Sequence, residues 1–335
     1  MRCWTKKKEV ETNETLVEVF DEIIEPYIGG NPQDTAQIWT SLKPKEIQSK
    51  LLDRGHEVSY YIANQLINFR ELRRRSYLKT VTIGASSPFR NDQFEKISHL
   101  KEYFFSQNLP VLSIDTKKKE LLGNFHRSGH YYDTVPRHVN DNDFESHADG
   151  KIVPHGIYDL AQNKGYMTLG TSKDTSAFVC DNIAYFWKSD LQWVYPDTEW
   201  MLIFCDGGGS NNARHYIVKQ DFCKLAKHLK MNIVIAHYPP YCSKYNPIEH
   251  RLFAHVHHAW DGAIFSNIHI VKELTSNTST KTGLEVVTRI NENKYMTKRP
   301  VNEVFKENIN DFVMFDENLP QWNYVIKHQD VDLIF

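Results

Sequence analysis

From about residue 108 the chain alternates short apolar runs with amphipathic stretches, and the order of those pieces limits the fold more than any other feature of its 335 residues. LPVLSIDT is a short apolar strand ending in an acid, ELLGNFH reads as a second strand and GYMTLGTS as a third. The long polar stretch over residues 130–165 reads as loop. Asp174 is placed to cap an amphipathic helix, TSAFVCDNIAYFWKSD. EWMLIFCD is a fourth strand, RHYIVKQDFCKLAKHLK a helix, NIVIAHY a fifth strand and PIEHRLFAHVHHAW a further helix. Residues 274–335 add a C-terminal extension of short β-like pieces to which the sequence assigns no role.

Three strands in succession, then helix, strand, helix, strand, helix, predict an α/β domain over residues 102–273: an RNase H-like mixed β-sheet with flanking helices. In that order the first strand lies beside the fourth, and the helix after the fifth packs its start against their ends. Each of those three places carries an acid: Asp115 closes VLSID, Asp206 follows LIFC, and Glu249 lies in NPIEH. Singly, each has a plain structural reading as a turn residue or, for Glu249, as part of a capping box with Asn246 at the N-cap and Pro247 at N1. Jointly they converge, and three carboxylates cannot share a dry pocket unless cations neutralise them. Oxygen ligands with no cysteine nearby select Mg²⁺ or Mn²⁺ over zinc, and two such ions suit phosphodiester chemistry. Were Glu249 only a cap, Asp159 and Asp174 would be the next candidates by sequence order.

The glycines after Asp206, Gly207 to Gly209, raise a phosphate-cradle reading that their surroundings do not sustain. A phosphate loop needs a G-K-[ST] end, and the dinucleotide fingerprint needs a glycine where Asn212 stands. Beside an acid at a strand end, side-chain-free residues instead let a nucleic-acid backbone come close to the carboxylate. The histidines of EHRLFAHVHH (His250, His255, His257 and His258) lack the H-E-x-x-H zinc order and read as an exposed helical face.

The formal net charge of −2 hides a segregation. Residues 1–40, an acidic segment expected to be helical, carry four Lys/Arg against eight Asp/Glu, whereas residues 41–101 carry twelve against six. Within the basic block Pro44 opens a helix, KPKEIQSKLLDRG, with Gly55 just past its end. Ser59 caps a second, SYYIANQLINF, which leaves Tyr60, Tyr61, Asn64, Gln65 and Asn68 on its outer side. Any αα-hairpin shares this pattern. The cluster behind it, RELRRRSYLK, favours a helix-turn-helix DNA-binding region, with Arg70, Arg73, Arg74, Arg75 and Lys79 for phosphates and Asn64 and Gln65 for base edges.

No apolar run approaches the ~20 residues of a membrane span, and no apolar segment follows the basic N-terminus. Five cysteines without a C-x-x-C argue for a reducing, cytoplasmic setting, associated with the nucleoid.

Four ordered stretches resemble one family: SIDTKKKELLGNF (113–125), CDGGGSNNAR (205–214), HYPPYCSKYNPIEHRLF (237–253) and TSTKTGLEV (278–286). They are similar to the DDE transposases of bacterial insertion sequences, in their ISAzo branch. The resemblance implies that Asp115, Asp206 and Glu249, the last two 43 residues apart, match a catalytic triad holding two Mg²⁺ or Mn²⁺ ions. It implies an enzyme that cuts at the 3′ ends of its element and joins them to target DNA, acting on double-stranded DNA as a homodimer or larger assembly. Lys117, Lys118, Lys119, Asn211, Arg214, Lys244 and Arg251 are expected to hold the DNA backbone near the site. The alternatives are an inactive transposase-derived DNA-binding protein and a nuclease of the same fold without strand transfer. Relatives carry more helical sequence ahead of the helix-turn-helix, so the abrupt acidic start reads as a shortened N-terminus. Tyr241 and Cys242 stand where the family tends to have smaller residues.

Overall fold

The computed structural model describes residues 10, 13–31, 34–75, 88–130 and 134–328; Lys79, expected among the phosphate-binding residues, lies outside them. The chain divides into two units, Met1–Thr82 and Ile83–Phe335.

In the first unit α1 (Glu14–Ile24) begins at Asn13, whose side chain accepts the Leu16 N–H at 3.1 Å. The acidic segment is not helical throughout, because a hairpin of β1 (Ile28–Asn31) and β2 (Asp34–Thr40) follows. α2 (Pro44–Asp53) starts at its proline and is left through Gly55 at φ +85°; α3 (Tyr60–Phe69) is capped by Ser59 as the sequence predicts. Ile47 and Leu51 of α2 and Ile62, Ala63 and Leu66 of α3 are buried together with Leu16, Phe20, Ile23 and Ile24 of α1. The acidic segment therefore supplies the third wall of this core. Each fully buried aliphatic or aromatic side chain contributes about 1.5–3 kcal/mol.

The second unit opens with α4 (Arg90–Ser106), a helix that occupies the end of the stretch expected to be basic linker. Its sheet runs β10-β11-β8-β7-β3-β5-β6-β9, with β4 (Glu120–Leu122) paired to the start of β5. The middle five are β3 (Val111–Thr116), β5 (Gly150–Asp159), β6 (Lys164–Gly170), β7 (Trp200–Cys205) and β8 (Asn232–His237). β7 lies parallel to both β3 and β8, while β5 is antiparallel to β3 and β6. This is the expected RNase H-like order. WMLIFC and the IVIA core of NIVIAH are unbroken apolar runs because both faces are covered. Met201, Ile203, Ile233 and Ile235 pack with α5 (Ser176–Phe186) and α6 (Tyr216–Leu229), whereas Leu202, Phe204, Val234 and Ala236 pack with α4. The cap of α5 is Thr175, whose Oγ1 accepts the Phe178 N–H at 3.2 Å, rather than Asp174.

Two sequence expectations fail here. Residues 130–165 are not all loop, since 150–159 form the longest strand of the sheet, and ELLGNFH contributes only the short β4. Pro154 disguises β5. Its carbonyl accepts the Lys117 N–H at 2.9 Å, so its missing donor falls in the gap between the stretch paired to β3 and the stretch paired to β4. The C-terminal extension is also no appendage. After a helix formed by a π turn (Glu249–Phe253) and α7 (Ala254–Ala259), and after α8 (Ile268–Ser276), β9 (Glu285–Asn291) adds to one sheet edge. Beyond α9 (Glu303–Glu307) and α10 (Ile309–Phe312), β10 (Val313–Phe315) and β11 (Asn323–Ile326) extend the other.

Candidate active site

Parallel pairing sets Val111 opposite Leu202 and Ser113 opposite Phe204. Continued by two residues, that register brings Asp115 level with Asp206, the residue just past β7. The third acid arrives on the helix after β8, whose start is fastened to β3 by buried side chains. Ser113 Oγ donates to Asn246 Oδ1 and accepts the Ile248 N–H at 3.1 Å, and Asn246 Nδ2 donates to the Ile114 carbonyl at 3.2 Å. A hydroxyl on the neighbouring strand thus caps this helix. The Asn246 side chain is spent on β3, and Glu249, instead of closing a capping box, hydrogen-bonds the Asp115 carboxyl.

Two glycines let the helix sit down on the sheet. Gly156, paired opposite Asp115, has Phe253 and Ile248 so near that a Cβ would lie 2.5 and 2.9 Å from them. At Gly165 a Cβ would lie 2.4 Å from Leu252. The π turn over Glu249–Phe253 lies on this seat, and such turns recur at functional sites.

Burial, followed by the charge of Asp206 and then of Glu249, pushes Asp115 up to about 8, against the stabilising Thr116 N–H on Oδ1 at 2.7 Å. Asp206 is positioned through its backbone. His237 Nδ1–H donates to its carbonyl at 2.9 Å, while His237 Nε2 accepts from Tyr324 OH of β11 at 2.9 Å. Burial pushes His237 down to about 4, in keeping with a neutral ring that donates on one side and accepts on the other. Asp174 stands next to the group: its Oδ1 accepts from Thr116 Oγ1 at 3.2 Å, Ser210 also bonds it, and burial raises its pKa. Asp159 is three pairing positions further along β5, about 10 Å at the strand rise. Its oxygens are occupied by Tyr195 OH and the N–H groups of Ala161 and Gln162. Of the two reserve candidates, only Asp174 is at the site. Among the described residues no three acidic, His or Cys side chains are gathered into a coordination shell.

Lys118, Lys119, Arg214, Lys244 and Arg251 are exposed. Four residues expected to touch DNA are buried or paired within the chain. Asn211, the last residue of a 3-10 turn (Gly209–Asn211), is 2% exposed. Lys117 is turned inward, 3.6 Å from Glu120 and over the Trp260 ring. In the first unit Arg73 donates to the Asn68 carbonyl at 2.8 Å at the end of α3. Arg74 and Arg75 are exposed, as is Asn64, with Gln65 half-buried, while Arg70 pairs with Asp21 of α1 and so leaves the phosphate-binding set. His257 and His258 are exposed and His255 is half-buried. Sequence reasoning missed Ser113, His237, Tyr324 and Gly156. The first two lie inside the family-like stretches, but nothing local marks their partners.

The described cysteines, Cys180, Cys205, Cys223 and Cys242, are free, and no described helix is long and apolar enough to cross a membrane. Residues 19–328 match the family described as Rhodopirellula transposase DDE domain. No curated protein matches the chain. Solved structures similar to it include the Mos1 transposase paired-end complex with left transposon end, 17% identical over 77% of this chain and 68% of that chain, with a TM-score of 0.41. The Mos1 mariner paired end complex with Mn is 14% identical over 77% and 69%, with a TM-score of 0.39. The Mos1 paired end complex with Mg is 18% identical over 76% and 68%, with a TM-score of 0.41.

Proposed function

The chain belongs to the transposase DDE-domain family that matches residues 19–328, and from that premise we propose that it cuts DNA at the 3′ ends of a mobile element and joins them to target DNA at Asp115, Asp206 and Glu249. The observation that supports this reading is the nearness of the acids: a half-buried Asp115 in contact with Glu249, with Asp206 level on the next strand. Evolution of such a site for stability alone makes little sense, because each added carboxylate raises the cost of charging the others.

The donor set fits hard divalent ions. Carboxylate oxygens without a thiolate suit Mg²⁺ or Mn²⁺, and the surplus negative charge that lifts Asp115 is what a cation would relieve. Asp115, Asp206 and Glu249 would hold the ions, with Asp174 alongside. Two bound ions would supply activation of a water or a 3′-hydroxyl and stabilisation of the leaving oxygen. The chain's own part is positional. Ser113 and Asn246 set Glu249 against Asp115, and His237 sets the Asp206 backbone. Gly207 faces open space, so a DNA strand can approach Asp206, and Lys118, Lys119, Lys244 and Arg251 would hold its phosphates. Asn64, Arg74 and Arg75 would engage the ends from the first unit. Because two ends must be paired, the active form would be at least a dimer on DNA.

The test is cleavage and joining of a duplex carrying the inverted repeats that flank the gene. Both should require Mg²⁺ or Mn²⁺, and Asp206→Asn should abolish both while DNA affinity and melting temperature stay close to wild type. Undiminished cutting by that variant sinks the assignment. Cutting without joined products would leave a nuclease.

A further inference from the structure

The C-terminal extension contains a segment whose placement points to a task. Between β9 and α9 the chain crosses the ends of α5 and α6, tied down at both flanks. The Tyr295 N–H donates to Ser172 Oγ at 3.0 Å, and its hydroxyl bonds Asp181, to which Asn293 also donates. On the other flank Arg299 makes two bonds to the buried Asp221, and the Asn302 N–H donates to Gln220 Oε1 at 2.8 Å. Between these anchors Met296, Thr297 and Lys298 stand exposed, Met296 at 75%, with Lys298 in the left-handed region at φ +55°.

This crown forms one wall of a groove of about 800 Å³, whose other wall is Arg214, His215 and the first turn of α6. Its charge is mostly positive. Lys119, Arg214 and Lys298 have no carboxylate within ion-pair distance among the described residues; Lys306 is 3.7 Å from Glu303, and Arg299 is spent on Asp221. Lys119 and Asp174 also line a second groove, of about 790 Å³, which contains Lys118, His126 and Lys151. Because Thr116 bonds Asp174, the two grooves meet beside Asp115.

We propose that the strap over residues 292–302 is a DNA clamp: Lys298 of its crown and Arg214 across the groove hold the sugar-phosphate backbone of the strand leaving the carboxylate site, with Lys306 of α9 adding its charge at the rim. The choice of DNA as ligand rests on the function proposed above. Phosphates suit the groove because unpaired cations gain most from them, releasing counterions as they bind.

The test uses the full chain and fluorescence anisotropy with Ca²⁺ present, so that binding is read without turnover. Lys298→Glu combined with Lys306→Glu should weaken binding to a random-sequence duplex roughly tenfold at low salt, and flatten the salt dependence by up to ~0.9 for each phosphate no longer neutralised. Lys224→Glu, an exposed lysine on α6 that lines neither groove, should stay within about twofold of wild type on the same scale of salt-dependent binding. Equal weakening in both variants, or none in either, overturns the clamp. A photo-crosslinker on Met296→Cys gives a second readout should the double variant fail to fold. Crosslinking to a duplex bearing the terminal repeat assigns the groove to element DNA, crosslinking to a repeat-free duplex assigns it to target DNA, and crosslinking to neither overturns the proposal. A wild type that binds but never cuts would sink the cleavage reading and leave these binding results interpretable.

Discussion

Two acids on paired strands, Asp115 on β3 and Asp159 on β5, are both raised in pKa by burial, and what surrounds them differs in kind. Asp159 accepts bonds from Tyr195, Ala161 and Gln162, so its charge is compensated within the chain. Asp115 receives one backbone N–H and otherwise faces Asp206 and Glu249, so its surroundings worsen its charge. One acid completes the fold. The other makes sense only with something added to it. Burial and a raised pKa are common to both, so neither observation separates a structural acid from a site acid; the identity of the hydrogen-bond partners does.

The comparison breaks most visibly under neutralisation. Glu249→Gln should fold with a melting temperature near wild type and lose cleavage and joining by orders of magnitude, since the amide removes a charge from the cation site. Asp159→Asn should do the reverse. It should lower stability by about 1–3 kcal/mol in thermal melts, because one oxygen that accepts from Tyr195 or the backbone becomes a donor, and leave the folded fraction active. Matching activity losses would erase the distinction between the two acids.

A smaller effect is expected at the glycines of β5. Gly156→Ala drives a Cβ into Phe253 and Ile248 and should tilt Glu249 from Asp115, costing about 1–3 kcal/mol by overpacking and about 10²-fold in cleavage from misplacement. Gly150→Ala, whose Cβ would meet only Leu122 at 3.5 Å, should be close to neutral in both. Full activity in Gly156→Ala would show that the helix seat does not position the acid.

The least of these effects sharpens the comparison through a base. His155, between Pro154 and Gly156 on β5, is buried with neither ring nitrogen bonded, and burial together with Arg289 pushes it down to about 3. A base with a folded pKa below its unfolded value leaves the unfolded chain binding more protons between pH 6.5 and 3, so stability falls as pH drops through that window. At pH 5 the loss should be about 2 kcal/mol from this residue alone. His155→Leu should flatten the pH dependence of the unfolding free energy by that amount, and an unchanged slope would show that His155 does not carry it.

Much of the fold was legible because its signals are local. WMLIFC is apolar over six residues and NIVIAH over its central four, Pro44 and Ser59 mark helix starts, and Asp115, Asp206 and Glu249 stand at strand or helix ends whatever they touch. By itself the sequence determined β3, β6, β7 and β8 and the helical pair of the first unit, and it marked the three acids as candidates. Only the tertiary structure decided the rest, because those features depend on partners remote in the chain. Pro154 is allowed in a central strand since the gap between β3 and β4 receives its missing donor, and no local rule reveals that gap. Asn246 fits a capping box by spacing, yet Ser113, 133 residues away, takes its side chain and frees Glu249 for Asp115. The last 62 residues look like fragments because their strands pair with β6 and β8 rather than with one another alone, and the hydroxyl that steadies Asp206 through His237 comes from Tyr324 among them. Short-range propensity acts along the chain, while hydrogen-bond satisfaction and close packing act across it, and the site is built from the second kind.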